Sequence, residues 1–84
     1  MIMKIRIDET IYEGTCEEIM EKLRLQTFDP NEYPDTESYI WQLRANFVRM
    51  TDRDCPLPES GTERQALAMF EHLNKAGALE ILEE

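Results

Sequence analysis

The chain marks its own helix starts, and those marks constrain its fold more than any other feature. Thr15-Cys16-Glu17-Glu18 has the form of a capping box, in which Thr15 accepts from a free amide and Glu18 reaches back. Thr62-Glu63-Arg64-Gln65 repeats the form, and Asp35-Thr36-Glu37 offers a simpler cap with an early acid. Each motif supplies acceptors for amides that the first turn of a helix leaves unpaired. Apolar residues at helical spacing follow each one. Helices are therefore predicted over 16–26, 36–51 and 63–76.

The spacing also predicts which faces are buried. Cys16, Ile19, Met20 and Leu23 form the stripe of the first helix, and Ala66, Met69, Phe70 and Leu73 that of the third. In the second helix Ile40, Leu43, Phe47 and Met50 make one stripe, and Trp41, Ala45 and Val48 make another beside it. A stripe that wide implies a central helix, or one partly covered by another chain. Gly77 stands where a left-handed residue closes the third helix.

Ahead of these helices, Met3, Ile5 and Ile7 alternate with Lys4 and Arg6, the pattern of a half-buried strand. Asp8-Glu9 breaks the run and Thr10 to Glu13 resumes it. A two-residue hairpin would set Ile7 opposite Thr10 and Ile5 opposite Tyr12. Hairpins of this length favour glycine where Glu9 stands, which leaves a longer turn open. After Gly77, residues 78–82 alternate with Leu79 and Ile81 on one side, which fits a third strand. Asp29-Pro30-Asn31 with Pro34, and Pro56 with Pro58, mark the loops, and Phe28, Tyr33 and Leu57 are their expected anchors. The expected fold class is α+β: an N-terminal β-hairpin, with room for a C-terminal third strand, packed against three α-helices. With 84 residues it makes a single domain, 1–84, burying roughly 60–65% of the surface of the unfolded chain.

No motif carries recognisable chemistry, so the expected role is non-catalytic, with no cofactor and no metal. The glycines at 14, 61 and 77 stand alone at helix boundaries and form no phosphate loop. Cys16 and Cys55 make no disulfide framework and are expected to be reduced, structural thiols. His72, the only histidine, borders an apolar stripe and is expected at the surface or its boundary. Asp52-Arg53-Asp54 lacks the ligand run and glycine of a calcium loop. No apolar run approaches the roughly 20 residues that span a bilayer, and residues 1–7 lack a signal peptide's continuous apolar stretch. The expected location is the cytoplasm.

The net charge of −9 argues against binding to phosphate backbones. Acid collects in the loops and tail, while 36–51 is the only net-positive segment. That distribution weakens a winged-helix reading with the second or third helix as the DNA reader, because neither exposes a basic, polar face. Trp41 and Arg44 can meet at i, i+3, and both are residue types that dominate protein interfaces. Trp41, Arg44, Val48 and Arg49 are therefore the candidate interface residues, with Trp41 in the core as the alternative. The functional expectation is a protein-interaction or small regulatory module that docks an unidentified protein or a second copy of itself. The alternative is an acidic mimic of nucleic acid that occupies the groove of a DNA- or RNA-binding enzyme.

The stretch Ile5-Arg6-Ile7-Asp8, followed by Tyr12-Glu13-Gly14-Thr15-Cys16-Glu17-Glu18-Ile19, resembles the opening of certain small uncharacterised bacterial proteins. Some of these look phage- or plasmid-associated. The resemblance covers about the first quarter of the chain, and Glu9 departs from it where those proteins carry glycine. It implies a hairpin, a Gly-Thr helix cap and a helical remainder, with a mobile-element context and no activity attached.

Overall fold

The alternation at the N-terminus becomes the middle of a sheet in the computed structural model, which describes residues 2–27 and 32–84. Strands β1 (Met3–Ile7), β2 (Thr10–Gly14) and β3 (Glu80–Glu83) pair antiparallel in the order β2-β1-β3. Ile7 lies opposite Thr10 and Ile5 opposite Tyr12, the register set by a two-residue turn. Glu9 does not force a longer turn, because Asp8 takes the positive φ of 55°, and aspartate tolerates that conformation. Met3 and Ile5 are buried. The opposite face carries Lys4 and Arg6, and Arg6 reaches Glu80 of β3 at 2.7 Å.

Three helices cover the buried face: α1 (Cys16–Leu25), α2 (Thr36–Thr51) and α3 (Thr62–Lys75). α1 packs on β2 and α3 on β3, whereas α2 packs on α1 and α3 rather than on the sheet. Ile19 and Met20 of α1, Ile40 of α2, and Met69 and Phe70 of α3 meet Met3 and Ile5 in one core, all at 1% exposure or less. The C-terminal strand begins at Glu80 rather than Ala78 because 76–78 complete the end of α3. Gly77 takes φ 81° while its amide donates to Asn74 O (3.1 Å) and the Ala78 amide donates to Leu73 O (2.9 Å). That pair of bonds is the Schellman closure, and it needs a residue free to be left-handed.

The first helix start agrees with the sequence; the third does not. Thr15 Oγ1 accepts from the Glu18 amide at 3.1 Å and Glu18 Oε1 from the Thr15 amide at 2.9 Å, the reciprocal box. At α3, the cap position falls to Gly61 at φ 90° and no side chain caps the helix. Thr62 is instead the first helical residue. Glu63 turns away from its own helix: Oε2 accepts from the Cys16 amide at 2.9 Å and Oε1 from the Glu17 amide at 2.7 Å. All four amides that an α1 start leaves orphaned are thereby satisfied, two locally and two from α3.

Two further expectations change. Met50, placed in the buried stripe of the second helix, is 83% exposed, because α3 turns away at Gly77 before it can cover the last turn of α2. α2 is not central: it is the outer member of the helical layer. Gln65, which the pattern does not single out, is fully buried, and its Nε2 donates to Pro58 O at 3.0 Å, tying the second loop to α3. Tyr33 and Leu57 are half-buried, Tyr33 edge-on to Tyr39 with ring centroids 5.5 Å apart and Leu57 packed on the core. Phe28 and the Asp29-Pro30-Asn31 break lie outside the described residues.

Replacing Glu63 by Ala should therefore destabilise the protein by about 1–2 kcal/mol in urea unfolding, since two buried-end amides lose an ionised acceptor. Thr62→Ala should change stability by less than about 0.5 kcal/mol. The reverse order of effects would restore a local capping box at α3.

Candidate protein-interaction surface

α2 starts where Asp35 Oδ1 accepts from the Ser38 amide at 2.8 Å and runs 16 residues to Asp52, which closes it in the left-handed region at φ 55°. Ile40 and Phe47 point into the core. The residues on either side of that line are less covered, because among the described residues no further helix lies beyond α2.

One flank carries Trp41, Arg44 and Val48. Trp41 is 38% exposed, and the Arg44 guanidinium carbon lies 5.7 Å from its ring centroid. Arg44 is held from below: its Nε donates to Cys55 O at 2.7 Å, and Asp54 lies 3.9 Å from its Nη2. Val48, half-buried one turn on, packs against the core edge. Arg49 faces another way, with Nη2 donating to Asn46 Oδ1 at 2.5 Å, where Gln42 Nε2 also donates at 3.3 Å. The structure thus joins Trp41 to Arg44, sets Val48 beside them, and places Arg49 around the helix.

The second flank holds part of the stripe that the sequence pattern placed on one face, Leu43, Phe47 and Met50. Leu43, Asn46, Phe47, Met50 and Thr51 of α2, with Leu73 of α3 and Ala76 and Ala78 beyond it, line a largely apolar groove of about 280 Å³.

The residues that could carry chemistry are engaged structurally. Cys16 Sγ lies 3.1 Å from Met3 Sδ and Cys55 Sγ 3.9 Å from Met69 Sδ, and both cysteines are free and fully buried. Burial pushes the Cys16 thiol up to about 12, with the neighbouring Glu63 carboxylate opposing a second negative charge. Burial also raises the Cys55 thiol. These are poor nucleophiles. His72 Nε2 sits 3.1 Å from Pro56 O, with its ring tilted against Phe47 at 6.2 Å between centroids, so it braces the second loop. Asp54 Oδ1 accepts from the Cys55 amide at 2.9 Å. Among the described residues no three His, Cys, Asp or Glu side chains gather where a metal ion could be held.

Some of the carboxylates gather at helix starts. Glu17, Asp35, Thr36, Glu37 and Thr62 surround one depression where the beginnings of α1, α2 and α3 converge. The amide and hydroxyl of Thr15 hold Glu18 below the usual carboxylate range, and Ser38 does the same for Asp35. Burial works against ionised Glu63, but the amides of Glu17 and Cys16 outweigh it and its pKa is lowered. Glu21 is lowered chiefly by Arg24, with which it pairs, and also accepts from Thr36 Oγ1 at 3.1 Å.

Comparison with known proteins finds no match: no family model, no curated protein and no solved structure matches the chain. Among the described residues no helix is long and apolar enough to cross a membrane.

The Cys16 shift fixes an alkaline signature. A thiol raised in the folded state from 9.0 to about 12 contributes stability that is whole below the unfolded value and is lost as pH rises through this interval. Wild type should exceed Cys16→Ala by about 1 kcal/mol near pH 8, from lost packing. That lead should shrink or reverse near about pH 10.5 in urea unfolding. A lead independent of pH would remove the buried neutral thiol from the account.

Proposed function

We propose that this chain is a non-catalytic protein-interaction module, regulatory rather than enzymatic, that docks a partner protein or a second copy through the Trp41 flank of α2. One observation carries the reading: a Trp–Arg pair stands at the surface with its arginine already fixed, through the bond from Arg44 Nε to Cys55 O (2.7 Å). Tryptophan and arginine supply most binding energy in protein interfaces. An arginine ordered before binding loses less side-chain freedom when a partner covers it. Val48 extends the same patch, while Arg49, turned toward Asn46, lies outside it.

The buried thiols and the braced histidine support a non-catalytic role, because a nucleophile must be reachable and ionisable. The acidic-mimic alternative draws less support. A mimic needs carboxylates free to meet a cationic groove, and Glu18, Asp35 and Glu63 are bonded to backbone amides while Glu21 pairs with Arg24. A bacterial, mobile-element context and a cytoplasmic location belong to this same proposal, on the resemblance of the N-terminal quarter.

Trp41→Ala and Arg44→Ala test it. Tryptophan at this depth should be removable with a Tm loss of only a few degrees, about 1 kcal/mol or less. Light scattering over a hundredfold concentration range, and cross-linking to captured partners, should then show wild-type association that the variants lose. Identical association by folded Trp41→Ala and wild type would end the proposal. Unfolding of Trp41→Ala would assign the residue to the fold instead.

A further inference from the structure

We infer that residues 53–60 form a strap that opens as a unit while the rest of the molecule stays folded, and that through Arg44 this opening unfastens the Trp41 patch. The segment joins α2 to α3 between two left-handed residues, Asp52 at φ 55° and Gly61 at φ 90°. Among the described residues it makes no backbone–backbone hydrogen bond. Pro56 and Pro58 have no amide hydrogen to give. Its carbonyls are held to the helices by side chains alone. Arg44 Nε donates to Cys55 O at 2.7 Å, Gln65 Nε2 to Pro58 O at 3.0 Å and Arg64 Nη2 to Ser60 O at 3.4 Å, and His72 Nε2 lies 3.1 Å from Pro56 O. The bonds of the Arg53 and Cys55 amides to Thr51 Oγ1 and Asp54 Oδ1 are local and survive opening.

Burial adds little to that hold. Cys55 is the one buried residue of the strap, Leu57 and Pro58 are half-buried, and the other five are exposed. A segment with few buried side chains and no backbone ladder opens at a free energy well below that of global unfolding. Gln65 biases it further. It is fully buried, and its Oε1 has no partner among the described residues. An orphaned acceptor raises the energy of the closed form until water reaches it. Arg44 belongs to both parts: its Nε holds the strap, and its guanidinium carbon lies 5.7 Å from the Trp41 ring centroid. When Cys55 O swings away, and with it Asp54 at 3.9 Å, the arginine regains its side-chain freedom and the ordered Trp–Arg pair is lost. Strap closure and a partner covering Trp41 and Arg44 therefore reinforce one another, a regulatory consequence that rests on the docking reading above.

The two cysteines provide the test, since both are free and fully buried but only Cys55 lies in the strap. Iodoacetamide alkylation of the free protein, read by mass spectrometry at each site, measures the population in which each thiol is reachable. Cys55 should react at least about a hundredfold faster than Cys16. Its rate should stay nearly flat below about 1 M urea, while that of Cys16 climbs. Arg44→Ala should speed the reaction of Cys55 about five- to tenfold. Ile19→Val, in the core of α1, should speed Cys16 alone. Protein labelled only at Cys55 should keep its circular dichroism spectrum, while Trp41, the only tryptophan, becomes more open to acrylamide quenching. In Arg44→Ala, labelling should add no further quenching. Equal rates and equal urea dependence at the two cysteines overturn the strap, as does loss of the helical signal on labelling. Unchanged quenching of Trp41 overturns its link through Arg44. No partner enters these measurements, so their failure is distinct from that of docking, which the association of Trp41→Ala decides.

Discussion

The carboxylate of Glu63 is the contact on which the arrangement of this molecule depends. A helix start leaves four amides without partners, and the box formed by Thr15 and Glu18 serves two of them. The amides of Cys16 and Glu17 are left for Glu63, whose two oxygens take one each. That fixes the start of α1 against the first turn of α3 in both distance and rotation. With α1 so turned, Cys16, Ile19 and Met20 face inward and the Cys16 thiol meets Met3 of β1. The sheet, α1 and α3 are therefore tied at a single corner.

The same corner explains much of the acidity. Three helix starts converge there, and each presents partial positive charge to which carboxylates are drawn. Glu18, Asp35 and Glu63 each accept from backbone amides at these starts, and those bonds favour the ionised carboxylate. A count of charges alone would read −9 as a property of the surface at large. Placed in the fold, part of that charge gathers where the three helices begin.

Local signals were legible in the residues and nonlocal ones were not. The alternation of β1, its two-residue turn, the box at Thr15 and the closure at Gly77 each depend on neighbours a few positions away, and each stands as the pattern implies. Thr62-Glu63-Arg64-Gln65 has the same local form but a different fate. Gly61 can take the cap position at φ 90°, and Glu63 has stronger partners 46 and 47 residues away. Nothing within the motif announces that competition. Gln65 likewise became a core residue through Pro58 O, a carbonyl whose position only the folded loop defines. Among the candidate interface residues, the Trp41–Arg44 contact followed from helical spacing, whereas the bond that stiffens it comes from Cys55 O, 11 residues past Arg44.

The periodicity of α2 also promised more burial than one domain of this size can supply. An amphipathic pattern specifies which residues share a face, and says nothing about whether another element exists to cover it. Here α1 and α3 pack on the sheet and α2 packs on both of them, so its flanks are only partly covered by the described residues. Trp41 and Met50 stand on opposite sides of the buried line through Ile40 and Phe47. A single exposed apolar residue is ordinary on any protein surface. Two stand on this one helix, Trp41 beside an anchored arginine and Met50 at the edge of a largely apolar groove. The core takes Ile40 and Phe47 from α2, with Leu43 and Val48 packed against its edge, so the helix is held by its middle line while its flanks stay open to solvent.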